Sequence, residues 1–277
     1  MKKQLQHVLA CLAFVGLHGL AGAEVPVATA EVLMRKSGVW AQLGDVAVQV
    51  KAGMAQSASS AALAPDDVKR LEVLADEAFA APRLRDAFLQ VVSQQLTPAQ
   101  SADALKWYNS PTGQVITRLE EASSANFDDL QRVLADGHQA LSHASARRQA
   151  LLTQVVQATR SAEGMATLQI NTTLAILQGM ENVAPNPSTP SAAHLRQALE
   201  AQRPQMQASA MGVMLTMFAA TYQPASDQAL AQYVKFLSSR SGGALSNAMN
   251  TALDKSLSGA AQLLGSGIVP VPGTTRL

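Results

Sequence analysis

The sequence predicts an all-α protein. Aromatic residues make up 4% of its 277 residues, Ala, Leu and Gln are abundant, and few stretches rich in Val, Ile or Thr alternate with period two. Apolar residues recur instead at three- and four-residue steps, the pattern of a helix with one buried stripe. A third observation sets the domain plan. The same 126 residues separate Gly38 from Gly164, Gly53-Met54 from Gly179-Met180, and Pro98 from Pro224. A shared offset across Gly, Met and Pro predicts two tandem, related multi-helix units, bundle-like and able to pack as one body.

The elements follow in order. Lys2 and Lys3, an apolar run from Val8 to Leu20 and the small residues Ala21-Gly22-Ala23 read as a secretory signal cut after Ala23. The run is shorter than the roughly 20 apolar residues of a membrane span. Cys11, the one cysteine, falls inside it, so the mature chain is expected to have no disulfide and no thiol chemistry. At about 250 residues the mature chain can bury enough apolar surface without such staples. A helix from Glu31 to Lys36 ends at Gly38. Trp40, Leu43, Val46, Val50 and Met54 share one face of the next. Pro65 with Asp66 and Asp67 opens a third, the acids sitting at the positive end of the helix dipole. Leu84, Phe88, Leu89 and Val92 form the buried stripe of a fourth.

Thr97-Pro98-Ala99-Gln100 is a capping-box start, and Ser110-Pro111 repeats the device. Two helices should therefore meet at an angle there, with Gly113 allowing a close backbone approach. Residues Phe127 to Ser145 read as a connector with a little helix around Leu130 to Leu134. Arg147 and Arg148 open the second unit, and the prolines between Glu181 and Pro190 mark a loop. A long helix or helix pair runs from Ala192 to Thr221. Gln223-Pro224 is read as the counterpart of Thr97-Pro98, and Gly242 as that of Gly113. The resulting division is a signal peptide over 1–23, a first unit over 24–126, a connector over 127–146, a second unit over 147–264 and a loose tail over 265–277.

Two local patterns are candidate binding sites. In Trp107-Tyr108-Asn109-Ser110-Pro111-Thr112-Gly113-Gln114 the aromatic pair could grip a partner, as aromatics do at hot spots. The favoured reading is a packed helix–helix corner, because capping and close approach account for Ser110, Pro111 and Gly113. The second pattern is Met206, Met211, Met214 and Met217 with Phe218. Adaptable core filling is favoured. An apolar groove is the next reading, and a Cu(I) site of thioethers is the third, with no His or Cys among these residues. His138 and His143 are five apart, not one helical turn. No HExxH, GxSxG or phosphate-cradling Gly loop occurs, so no metal, cofactor or catalytic residue is assigned. Glu120-Glu121 and Asp128-Asp129 read as solvated faces, since neighbours on a helix point apart. An enzyme would need a convergence such as Arg118 or Glu121 beside Tyr108.

Without Lys2 and Lys3 the 21 basic residues become 19 against 20 acidic ones, a formal charge of −1. That near-neutrality argues against nucleic acid as a partner. The order of elements, and Trp107, Tyr108, Ser110, Pro111, Gly113 and Gln114 in particular, resembles the exported bacterial domain of unknown function 2059. The resemblance covers about Val25 to Ala125. The second unit departs from it, with Arg240 in place of Pro111 and Gly243 in place of Gln114. It implies an all-helical secreted or periplasmic protein and transfers no catalytic residues. The expected function is a non-catalytic binding or scaffolding protein of the cell envelope, partnered by an envelope protein. The alternative is a carrier of an apolar small molecule in a cavity lined by Met211, Met214, Met217 and Phe218, and an enzyme comes third.

Overall fold

A computed structural model describes residues 24–61, 65–125, 130–184 and 192–268. The residues of the signal reading (Lys2, Lys3, Cys11 and Ala21 to Ala23) lie outside that set, as do the prolines of the 185–190 loop. Twelve α-helices form among the described residues: α1 Val27–Lys36, α2 Val39–Ala61, α3 Pro65–Ala78, α4 Ala81–Gln95, α5 Pro98–Asn109, α6 Pro111–Ala125, α7 Leu130–Ser142, α8 Ala146–Thr159, α9 Ser161–Val183, α10 Ala192–Thr221, α11 Asp227–Leu237 and α12 Arg240–Ile268. The fold is all-α, as the composition predicts.

Short-range signals set many of the boundaries. Gly38 ends α1 with φ +75°, a left-handed angle that glycine adopts without Cβ strain. Thr97 accepts from the Gln100 amide at 3.3 Å while the Gln100 side chain accepts from the Thr97 amide at 2.9 Å, completing the capping box before α5. Ser145 caps α8 and Ser226 caps α11 in the same one-sided way. α7 runs well past the few residues of helix expected around Leu130 to Leu134. α10 is one continuous helix with Pro204 inside it.

Packing is organised by α12, which lies most extensively against α9 and next against α4. Its buried stripe is made of small residues one turn apart: Ala248, Ala252, Ser256 and Ala260. The helices touch at backbone level. A Cβ at Gly265 would strike the Ile176 carbonyl, and one at Gly179 would strike the Gln262 carbonyl. From this seam one apolar core extends through Leu33 and Met34 of α1, Leu43 of α2, Leu84, Phe88 and Val92 of α4 and Ala104 of α5. A second core gathers Ile116 of α6, Leu152 and Val155 of α8, Tyr222, and Leu230, Tyr233 and Leu237 around α11. Thus α12, assigned by sequence to the second unit, packs on α3, α4 and α5, whereas α6 of the first unit packs on α10 and α11. Phe236 touches both cores.

Three details correct the sequence reading. Pro224 does not open a helix: α11 is capped by Ser226, which stands 129 residues after Thr97. Gly164, paired with Gly38 by the offset of 126, does not share its place in the fold. It lies inside α9, and the left-handed residue between α8 and α9 is Arg160, with φ 53°. Gly265 does not begin a loose tail, because α12 continues to Ile268 and Gly265 is buried in its seam with α9.

The seam predicts a contrast between two glycines of the same helical kind. Gly265→Ala should lose about 1–3 kcal/mol, since the new methyl meets backbone that cannot step aside. Gly212→Ala on α10, where a Cβ meets nothing, should gain up to about 1 kcal/mol from helix propensity. Urea denaturation of both variants checks the sign of each.

Candidate functional site

The α5–α6 corner is built by its own sequence. Ser110 is extended; its hydroxyl donates to the Trp107 carbonyl at 2.7 Å and accepts from the Gly113 amide at 3.0 Å. A side chain at position 113 would strike the Trp107 carbonyl. Pro111 and Gln114 are exposed, and the Gln114 amide donates to the Asn109 carbonyl at 3.2 Å. The α11–α12 corner repeats this construction. Ser239 accepts from the Gly242 amide at 3.1 Å, and a Cβ at Gly242 would strike the Phe236 carbonyl. Residues holding the same place in the two corners then meet: the rings of Trp107 and Phe236 stack with centroids 4.9 Å apart and planes 6° from parallel. Tyr233 stacks on Trp107 as well, at 5.7 Å.

Against this aromatic group lies a carboxylate. Glu120 of α6 is half-buried, and its Oε1 accepts from the Tyr222 hydroxyl at 2.7 Å and from the Tyr233 hydroxyl at 2.9 Å. Two further side-chain bonds hold α6 in place, between Ser123 and Thr221 at 2.9 Å and from Thr112 to Gln232. Burial pushes the Glu120 carboxyl above the usual carboxylate range; the two tyrosine bonds pull it down and Glu121 pushes it up again. The phenols of Tyr222, Tyr233 and Tyr108 are all raised, by burial first and by the Glu120 charge second. Adjacent residues do point apart here, as a helix requires, but the consequence differs from the solvated doublet expected at Glu120-Glu121. Glu121 is exposed, while Glu120 turns inward to the tyrosines and is the carboxylate beside Tyr108. Arg118 is also exposed.

Beyond Tyr222 the chain turns into α11, and Arg148 of α8 holds that turn. One guanidinium nitrogen (Nη1) donates to the Ala225 carbonyl at 2.9 Å and to Asp227 at 2.8 Å; the other (Nη2) donates to the Tyr222 carbonyl at 2.5 Å and the Gln223 carbonyl at 3.3 Å. These carbonyls follow the C-terminus of α10, where a cation also meets the negative end of the helix dipole. Arg148 is at the same time the floor of a groove of about 550 Å³ between α7, α8 and α10. Leu152, Ala219 and Ala140 supply its apolar lining, and Asp136, Gln139, His143 and Gln223 its polar one. Gly137, one residue after Asp136, brings the α7 backbone against the Thr216 carbonyl of α10, where any Cβ would collide.

The methionines are elsewhere. Met211, Met214 and Phe218 pack on the small cluster of Val156, Ala162 and Ala210, Met217 is half-buried, and none of the four lines the groove. Trp107 and Tyr108 are half-buried and pack on the second and first cores respectively. The structure therefore does not bring the two sequence-derived groups together into one site. Sequence reasoning missed Glu120, Tyr222, Tyr233 and the groove. Tyr222, four residues before the Ser226 cap, was visible, but nothing local paired it with a glutamate 102 residues away.

The class these observations define is a mixed-core helical body with a half-open groove. The family described as "Uncharacterized protein conserved in bacteria (DUF2059)" matches residues 82–140, from the start of α4 through most of α7. The chain is similar to that family over this one stretch, which contains the α5–α6 corner, Glu120 and the α7 wall of the groove. No curated protein and no solved structure matches the chain.

Two variants test this geometry. The folded Glu120 carboxyl ionises at higher pH than the unfolded one, whose ordinary value is about 4.3. Above that value the native state binds more protons than the unfolded state, so this residue's contribution to stability falls as pH rises through the folded pKa. Glu120→Gln keeps an acceptor for both tyrosines and has no charge to bury. It should be more stable than the parent at pH 8 and flatten the decline between pH 5 and 8, as read by denaturation at both values. Arg148→Ala leaves three carbonyls and Asp227 without their donor and should lose roughly 2 kcal/mol. Arg148→Lys should recover only part of it, because an ammonium cannot span the same fork; thermal unfolding compares the three.

Proposed function

We propose that this chain is a non-catalytic binding protein of the bacterial cell envelope, exported through the signal read at its start and using the groove between α7, α8 and α10 as its binding site. The observation that carries this reading is the groove itself. Its volume of about 550 Å³ lies in the range of small-ligand sites, and a lining that sets Leu152, Ala140 and Ala219 beside Arg148, Asp136 and His143 offers both apolar cover and orienting polar groups. Its walls are fixed from behind, by Arg148 on the α10–α11 turn and by the Gly137 contact between α7 and α10.

The repeated corner supports two related halves in the chain: Thr97 and Ser226, Trp107 and Phe236, Ser110 and Ser239, and Gly113 and Gly242 are each 129 residues apart and play the same local part. In this proposal the halves are units of one body, with the groove formed mainly by the connector and the second half. Among the described residues no helix is long and apolar enough to cross a membrane. A carrier of an apolar molecule lined by Met211, Met214, Met217 and Phe218 has weaker support, because three of these side chains already pack on a core cluster.

Native mass spectrometry of the protein released gently from periplasm tests the reading. A bound mass that is lost on denaturation, and that is missing from the groove-filling variant Ala140→Trp, is the expected result. A bound mass retained by that variant, or a bare parent chain, would contradict it.

A further inference from the structure

We propose that the groove takes a small organic cation, an amine carrying a short apolar body. This rests on the groove being a binding site and adds the chemistry of its occupant. The charged side chains that face the groove come from α7 and α8, and the α10 wall lends only Ala219 and, just past its end, Gln223. On α8, Arg148 is the one strong cation of the lining, and it is already satisfied: four acceptors surround its two terminal nitrogens, Asp227 at 2.8 Å among them. An anionic ligand would have to displace the turn's own carbonyls. On α7, Asp136 has a more open carboxylate. Its contact with Arg132 is at 4.0 Å, with both side chains more than half exposed, a pairing worth little in water.

His143 adds an acceptor rather than a donor. Its Nδ1 lies 2.8 Å from the Gln139 carbonyl and 3.1 Å from the Ser142 hydroxyl. A carbonyl only accepts, so Nδ1 carries the proton, and in the neutral ring Nε2 is left with a lone pair. Gln139 and Gln223 bring amide oxygens to the same lining. The last turn of α7 and the end of α10 both border the groove, and helix C-termini carry partial negative charge. An ammonium group has three donors and no acceptor. The lining offers it a carboxylate, an imidazole nitrogen and amide oxygens, while Leu152, Ala140 and Ala219 cover the rest of the molecule.

The test uses two probes with nearly the same body and opposite charge, phenethylamine and 3-phenylpropionate, titrated into the isotopically labelled chain and followed by amide NMR shifts. Phenethylamine should shift Gln139, Ala140, His143 and Leu152 saturably. The carboxylate should bind at least about tenfold more weakly, and Asp136→Asn, an exposed position, should weaken the amine by about tenfold, as loss of one charge-assisted bond implies. Equal or tighter binding of 3-phenylpropionate in the groove would overturn the cation assignment while leaving the groove as a site. So would an Asp136→Asn variant that binds the amine unchanged. Silence of these resonances toward both probes would overturn the groove reading together with it.

Discussion

Backbone-level contact between α9 and α12 is the constraint on which the rest of the molecule depends. Two helices that meet through Gly179 and Gly265, with the Asn171 amide of α9 donating to Asp254 of α12, lie close enough for dispersion to act between them, and they leave no room for a larger side chain at those glycines. Because α12 meets α9 along that face, its Leu245, Ala248, Ala252 and Leu264 are free to fill the core made by α1, α2, α4 and α5. The end of the chain thus completes the beginning. In the other direction α6 keeps its contact with α5 and reaches across to α10 and α11.

That exchange explains why a carboxylate is found among tyrosines. α6 must be held against α10 and α11 in one register, and apolar packing around Ile116 alone permits sliding. A carboxylate that accepts from Tyr222 and Tyr233 at once allows one position. Its partial desolvation opposes folding, and among the described residues no cation bonds to Glu120 to offset it, so the specificity comes with a loss of stability at higher pH. Tyr222 is held at both ends, by Glu120 through its hydroxyl and by Arg148 through its carbonyl. The wall of the groove is thereby tied to α6, within the stretch that matches the bacterial family.

Much of the fold was legible because helices announce themselves locally. The capping box at Thr97, the Ser110 cap and the stripe of Leu84, Phe88 and Val92 are each settled within one or two turns of chain. Periodicity told which face of a helix is buried, not what covers it. The small-residue stripe of α12 has the same spacing as any amphipathic helix, so neither the first core it fills nor the α9 seam on another face could be read. The constant offset of 126 misplaced the second cap because identity of residue type was weighed above capping chemistry: Pro224 matched Pro98 by letter, but Ser226 matches Thr97 by what its hydroxyl does. The groove was not legible at all, since it joins α7, α8 and α10 across some 80 residues, and Glu120 was read as solvated because its partners are more than 100 residues distant.

The central claim is that the first and second cores fold as one cooperative body through α12, α6 and the Trp107–Phe236 stack. The chain has two tryptophans, and they report separately: Trp40 packs on the first core, Trp107 on the second. Urea unfolding of Trp40→Phe and Trp107→Phe, each followed by the fluorescence of the remaining tryptophan and by circular dichroism, measures the two cores in turn. The account predicts that within each variant the fluorescence and dichroism transitions coincide, with a single midpoint. A tryptophan transition displaced from the loss of helix in either variant would contradict it and make the two cores independent folding units.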